Sequence, residues 1–207
     1  MKRLFAAALV AGGMLAGSVS TTIAEDVATG GGAVALMGAE ATNRMTRGKL
    51  DACELSYRVA FEDHIYRQGG ITVIRGNLSL WGMINEPDKV PAVFLKVTAF
   101  DTNGQTLKLS PLDYAYLSVG GQSYAGKEIA KLPSDDGGLM MLYDMVTNPD
   151  LALGLDGQIS ISITRQGGRS DVSIPMYLQR DKPEAALQHT KCVGELLKAI
   201  QAKFKAQ

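Results

Sequence analysis

The sequence predicts a mainly β protein: an antiparallel sandwich, or a partly open barrel, with one α-helix packed on it at the C-terminal end. Three observations carry this expectation. Six or more short segments alternate apolar and polar residues, and turn residues separate them about every 8–12 positions. From Pro183 the apolar spacing changes to three and four. Nowhere do strands and helices alternate at the spacing a parallel sheet needs.

The first residues read as an address. Lys2 and Arg3 precede an apolar stretch, Leu4 to Leu15, that is too short to span a bilayer. Thr22-Ile23-Ala24 before Glu25 has the small residues of a signal-peptide cleavage site. The expectation is a signal peptide over 1–24, cleavage after Ala24, and no membrane span afterwards. Losing Lys2 and Arg3 takes the formal net charge from +0 to about −2. Leu15-Ala16-Gly17-Ser18 has a serine where a lipoprotein would carry its acylated cysteine, so the mature chain is expected to be free in the periplasm.

Residues 25–48 carry Gly30-Gly31-Gly32, Gly38 and Gly48 among alanines, and read as a flexible leader in which 33–45 has the composition of a short helix. One domain is expected over 49–207. Its first strand is 53–61, with Cys53, Leu55, Tyr57, Val59 and Phe61 on one face. The run 71–81 follows; its apolar phase slips between Val73 and Ile74, which predicts a bulge near Gly76. Val93, Leu95, Val97 and Ala99 make the next strand, and Asn103-Gly104 turns it into a hairpin with 105–110. A short strand is expected over 114–119, a loop-rich stretch over 125–138, and either helix or strand over 139–146, stopped by Asn148-Pro149. Ile159, Ile161 and Ile163 face Val172, Ile174, Met176 and Leu178 across a Gly167-Gly168 turn, and Pro175 marks an edge strand. The helix, 183–204, presents His189, Cys192, Val193, Leu196, Leu197, Ile200 and Phe204 as one stripe, and Asp181 with Glu184 reads as its start.

Composition narrows the function. Lys+Arg and Asp+Glu both number 21, so the basic excess of a dedicated nucleic-acid binder is missing. Cys53 and Cys192 are the only cysteines, and in an exported chain they are expected to form a disulfide closing a loop of 139 residues. Their other reading, with His64 and His189, is a Cys₂His₂ zinc set, but the close cysteine pair of such sites is missing, so no cofactor or metal is expected.

Gly157, Ile159, Ile161, Ile163, Gly167, Gly168, Ile174, Pro175 and Cys192 form a pattern of strand, glycine turn, strand and cysteine-bearing helix over about 50 residues. It resembles the C-terminal half of exported proteobacterial sandwich proteins: the invasion-associated locus B-like proteins and accessory periplasmic proteins of secretion systems. The resemblance implies a non-catalytic envelope role with another envelope protein as partner, and transfers no functional residue.

Two candidate sites follow from the residues. Tyr114, Tyr116 and Tyr124 flank Gly120-Gly121 and suggest a recognition loop. Glu62-Asp63-His64 gathers acid and base at a strand end, the raw material of a hydrolase or metal-dependent enzyme using His64, which is the alternative to binding.

Overall fold

The computed structural model describes residues 31–86, 88–153 and 158–205. The signal peptide over 1–24, residues 25–30 of the leader and Gly157 lie outside them. The described chain is mainly β, all strand pairs are antiparallel, and neither sheet closes into a barrel.

The larger sheet starts with β1 (Gly31–Thr46), β2 (Lys49–Asp63), β3 (Gly70–Trp81) and β4 (Ala92–Thr102), neighbours in chain order. On the far side of β4 lie the short β5 (Leu107–Ser110) and, further along, β9 (Leu139–Asp144) with β8 (Ala130–Pro133) outside it. The smaller sheet has the order β11 (Val172–Met176), β10 (Ile159–Arg165), β6 (Leu112–Val119), β7 (Gln122–Ser123). Two short helices, α1 (Pro149–Leu153) and α2 (Leu178–Asp181), lead into the smaller sheet and out of it; α3 (Pro183–Lys205) ends the domain.

The core is made by the inward phases of the strands. Leu55, Tyr57, Val59 and Phe61 of β2, Ile74, Leu78 and Leu80 of β3, and Val93, Leu95 and Val97 of β4 meet Leu117, Ile159, Ile161, Ile163, Val172 and Ile174 of the smaller sheet, all buried. Burial of such side chains is the main favourable term in folding. α3 adds Val193, Leu196 and Ile200 from its buried stripe. Gly82, just past β3, leaves the room that the Leu196 side chain occupies. At its far end Lys203 donates to the carbonyl oxygens of Met83, Glu86 and Lys89 at 2.8, 2.8 and 3.0 Å, which ties the helix to the β3–β4 connection.

The first correction concerns residues 31–46. The Gly/Ala-rich stretch read as a flexible leader with a short helix is strand β1, paired along its length with β2. Register shifts between Leu36 and Gly38 move its inward phase from Val34 and Leu36 to Ala39 and Ala41. That change of phase hides the alternation from a period-two reading. Arg47 (φ 52°) and Gly48 (φ 75°) then form a two-residue hairpin turn with both positions left-handed, where glycine is the favoured residue.

Other boundaries shift for identifiable reasons. No register shift occurs in the pairing of β3 with β2 or β4, so the expected bulge at Gly76 is not there. Even-numbered residues of β3 face inward throughout, and Val73 is an outer-face residue that is nonetheless buried. Gly76 serves a close approach instead. Tyr57 lies over it and donates its hydroxyl to the carbonyl of Lys96 at 2.6 Å, space that a Cβ at 76 would fill. Asp181 does not open the long helix: it sits in α2 paired with Arg180, and Pro183 takes the first position of α3, where its missing N–H costs nothing. Leu178 belongs to α2 rather than to β11. Residues 139–144 resolve as strand, and β8 forms within the stretch read as loop. The Asn103-Gly104 and Gly167-Gly168 turns stand as expected, between β4 and β5 and between β10 and β11. Pro175 does lie on an edge strand, although β1 of the larger sheet packs against β11 there.

Two clamps hold the layers together at opposite ends of β2. At its start, Cys53 is joined to Cys192 of α3, the disulfide expected from the sequence, with a Cα–Cα distance of 5.8 Å. At its end, Asp63 accepts from Arg165 of β10. At about 3.3 Å per residue the two points are about 33 Å apart.

The helix also buries a titratable group. His189 is 2% exposed, and its Nε2 has no hydrogen-bond partner among the described residues. Burial lowers its pKa from 6.5 to about 4. The unfolded chain therefore binds the proton more readily, so this group's contribution to stability is complete above pH 6.5. It falls as the pH drops towards 4 and is gone below that. The expected cost over that window is at most about 3 kcal/mol. Urea unfolding of His189→Leu against the parent at pH 7.5, 5.5 and 4 checks it. The gap between the two proteins should narrow or reverse as the pH falls, and a constant gap would refute it.

Candidate functional site

Outward-facing residues of β1 to β4 stand in register and form two rungs across the larger sheet. One rung is Gly38, Arg58, Arg75 and Thr98; the next is Glu40, Ser56, Asn77 and Lys96. Because Gly38 carries no side chain, and Ser56 and Asn77 are short, the middle of this face is a trough. It forms an open groove of about 470 Å³ lined by the residues of the two rungs other than the buried Thr98, and by Asp136. The floor is paired β-structure with a buried core beneath it, so the groove rests on a rigid base.

Its charges are unevenly matched. Lys96 reaches Asp136, from the β8–β9 turn, at 3.1 Å. Partial burial pushes the Asp136 carboxyl up, but Lys96, the Ser134 hydroxyl and the Gly138 N–H together outweigh it and hold the pKa at about 2. Arg75 lies against Phe100, with Cζ 4.5 Å from the ring centroid. Arg58, directly opposite Arg75, makes no ion pair, hydrogen bond or ring contact among the described residues. Like charges facing each other across two strands are unfavourable. Here they are left so on an exposed face.

The residues singled out from the sequence fall elsewhere. Tyr124 is a core residue, 2% exposed and packed edge-on against Tyr143. Tyr114 and Tyr116 are half-buried on the outer face of the smaller sheet, with ring centroids 5.8 Å apart. Their hydroxyls donate to Glu128 at 2.8 Å and Asp171 at 3.0 Å. Burial is the first cause raising the pKa of both phenols. Glu62-Asp63-His64 is divided by strand alternation. Asp63 points inward and is fully buried, whereas Glu62 and His64 pair outside at 3.4 Å. No group of three His, Cys, Asp or Glu residues placed to hold a metal occurs among the described residues.

The inward ends of the strands hold a cluster that the sequence reading passed over. Arg165 Nη2 donates to Asp63 Oδ2 and Thr72 Oγ1, both at 2.6 Å. Its Nη1 lies 2.8 and 3.0 Å from the two Asp101 oxygens and donates to Ser110 Oγ at 2.6 Å. The other oxygen of Asp63 accepts from the backbone N–H of Ile65 and Tyr66. With its acceptors taken by one cation and two amides, Asp63 ties the two sheets together.

Fold and groove together define the class: a disulfide-clasped antiparallel sandwich with a terminal helix and an open, basic trough on the outer face of its larger sheet. Comparison with protein-family models, with curated proteins and with solved structures finds no match to the chain. No helix among the described residues is long and apolar enough to cross a membrane.

Proposed function

We propose that the chain is an exported, non-catalytic binding protein of the bacterial envelope, which recognises another envelope protein or an envelope component through the groove of its larger sheet. The observation that carries the reading is the opposed, exposed pair Arg58 and Arg75 over a rigid trough. Such a surface binds by charge and shape, and its side chains already stand where a partner would meet them. The disulfide supports an oxidising compartment, since thiols in the cytosol stay reduced. The charged n-region and the cleavage site before Glu25 support export to the periplasm.

The test is made in the organism's own cells. The protein is expected in the periplasmic fraction, with Glu25 as its first residue. A photo-crosslinker placed at Asn77 in the groove is expected to yield a defined product, and one placed at Thr106 in the exposed β4–β5 turn none. Retention in the cytoplasm with reduced cysteines, or equal labelling from both positions, would refute the reading.

A further inference from the structure

Resting on that reading, we propose that the groove binds a phosphate-type oxyanion, a phosphate monoester held between Arg58 and Arg75 with its remaining body leaving through the open mouth. Gly38, Arg58, Arg75 and Thr98 stand in one rung across β1 to β4. Directly opposed residues on antiparallel strands have Cβ atoms about 4.5–5.5 Å apart, so the stems of the two arginines leave the sheet side by side. Their guanidinium groups repel until an anion lies between them; then each gains a charge-assisted hydrogen bond.

The neighbouring carboxylates leave this pair without an anionic partner among the described residues. Asp136 is engaged by Lys96. Glu40, on the next rung, makes no ion pair with either arginine among the described residues. The lining thus holds Arg58, Arg75 and Lys96 against Glu40 and Asp136, with one carboxylate already committed. Asn77 and Ser56 add an amide and a hydroxyl donor on the adjacent rung. The site offers two planar, forked donors and a nearby ammonium. A phosphate monoester has three terminal oxygens and close to two negative charges, and can face both forks at once. A carboxylate has two oxygens and one charge, and satisfies one fork. Arg75 rests on Phe100 of β4 in the structure, and its long side chain swings toward Arg58 to meet the anion. The groove, at about 470 Å³, has room for a sugar or glycerol-sized body beside the phosphate.

Gly38 provides a variant that blocks the site without altering its charge. A Cβ there meets nothing within 4 Å, and its φ is not among the positive ones, so Gly38→Phe fills the trough while β1 keeps its conformation.

Two probes are titrated into the mature full-length protein: inorganic phosphate, followed by the arginine Nε–H resonances, and phosphatidylcholine vesicles containing phosphatidic acid, followed by co-sedimentation. Saturable binding is expected with at least one probe. Arg58→Gln and Arg75→Gln should each weaken it by about tenfold, the loss of roughly one charge-assisted pair. Gly38→Phe should abolish it, and Asp136→Asn, which releases Lys96, should tighten it. Arg180→Gln, outside the groove and paired with Asp181, should leave it unchanged. Dependence on the two arginines with inorganic phosphate alone assigns a soluble phosphate ester. The same dependence with vesicles assigns a lipid headgroup. Absence of saturation with both probes, indifference to both arginine substitutions, or equally tight competition by acetate overturns the proposal. A crosslinked partner captured from Asn77 under any of those outcomes would leave the binding reading standing and end the phosphate assignment alone.

Discussion

Replacing both cysteines, as Cys53→Ala with Cys192→Ala, is expected to lower the free energy of unfolding by up to about 5 kcal/mol. The bond joins positions 139 residues apart, so it restrains almost the whole described domain in the unfolded state. A loop that long places the chain-entropy effect near its upper end, and measured bonds often deliver less. The loss would remove a large share of the roughly 5–15 kcal/mol that a domain commonly has. Guanidinium unfolding of the double variant checks the size. The slope of free energy against denaturant should also rise, because an unclasped unfolded chain exposes more surface. Hydrogen exchange should show where the clamp acts. The amides of α3 should lose protection first, since Val193, Leu196 and Ile200 and the Lys203 contacts would then hold the helix without a covalent tie. A loss below about 1 kcal/mol with unchanged α3 protection would mean that packing alone seats the helix.

The strands were most legible where one face is uniformly apolar. Ile159, Ile161 and Ile163 alternate with Ser160, Ser162 and Thr164 because β10 lies in the middle of the smaller sheet with the core on one side. β2 reads equally well for the same reason. β3 was harder, because Val73 is buried on the outer face, and a strand covered on both sides loses its period. β1 was missed for a different cause. Its glycines are compatible with disorder, and its register shift near Gly38 reverses the phase in the middle of the strand. Local composition cannot show that β2 supplies a partner for every part of it.

The groove was not legible as a site, since it exists only across strands. Arg58 and Arg75 are 17 positions apart, and their opposition follows from the register of β2 with β3, which the turn at 64–69 sets. The Arg165 cluster, by contrast, did leave a signal. Asp63, Asp101 and Arg165 each extend the inward phase of an apolar strand by one more step, past Phe61, Ala99 and Ile163. A charge in an inward phase calls for an opposite charge in the same layer, because an unpaired one is too costly to bury. Three such residues at strand ends, two acidic and one basic, are a sequence-level reason to expect an ion cluster. Among the tyrosines of 113–124, residue type alone does not distinguish the outer rung of Tyr114 and Tyr116 from the core position of Tyr124.

Arg165→Met is expected to cost about 3–5 kcal/mol, because it leaves the fully buried Asp63 with no guanidinium to offset its burial and Asp101 with only Arg67, 3.7 Å away. Methionine keeps most of the apolar stem, so a cavity contributes little to the loss. The origin of the cost can be separated by pairing the substitution with Asp63→Asn. Asparagine retains an oxygen for the N–H groups of Ile65 and Tyr66, and so preserves the turn after β2 while removing the charge. In the parent protein Asp63→Asn takes away a partner of Arg165 and should destabilise. In the Arg165→Met background it relieves an uncompensated carboxylate and should stabilise, or at least cost far less. The coupling between the two positions is expected to be about 1–3 kcal/mol by urea unfolding. Simple additivity would mean that Asp63 and Arg165 contribute through separate contacts and that the second clamp is an ordinary strand end. Strong coupling would make β2 a strut fixed to the second layer at both ends, by a covalent bond at Cys53 and an ionic one at Asp63. A strut so fixed keeps β2 and β3 in one register, and that register is what places Arg58 opposite Arg75 on the outer face. Weakening the ionic clamp should then loosen the groove without altering any residue that lines it.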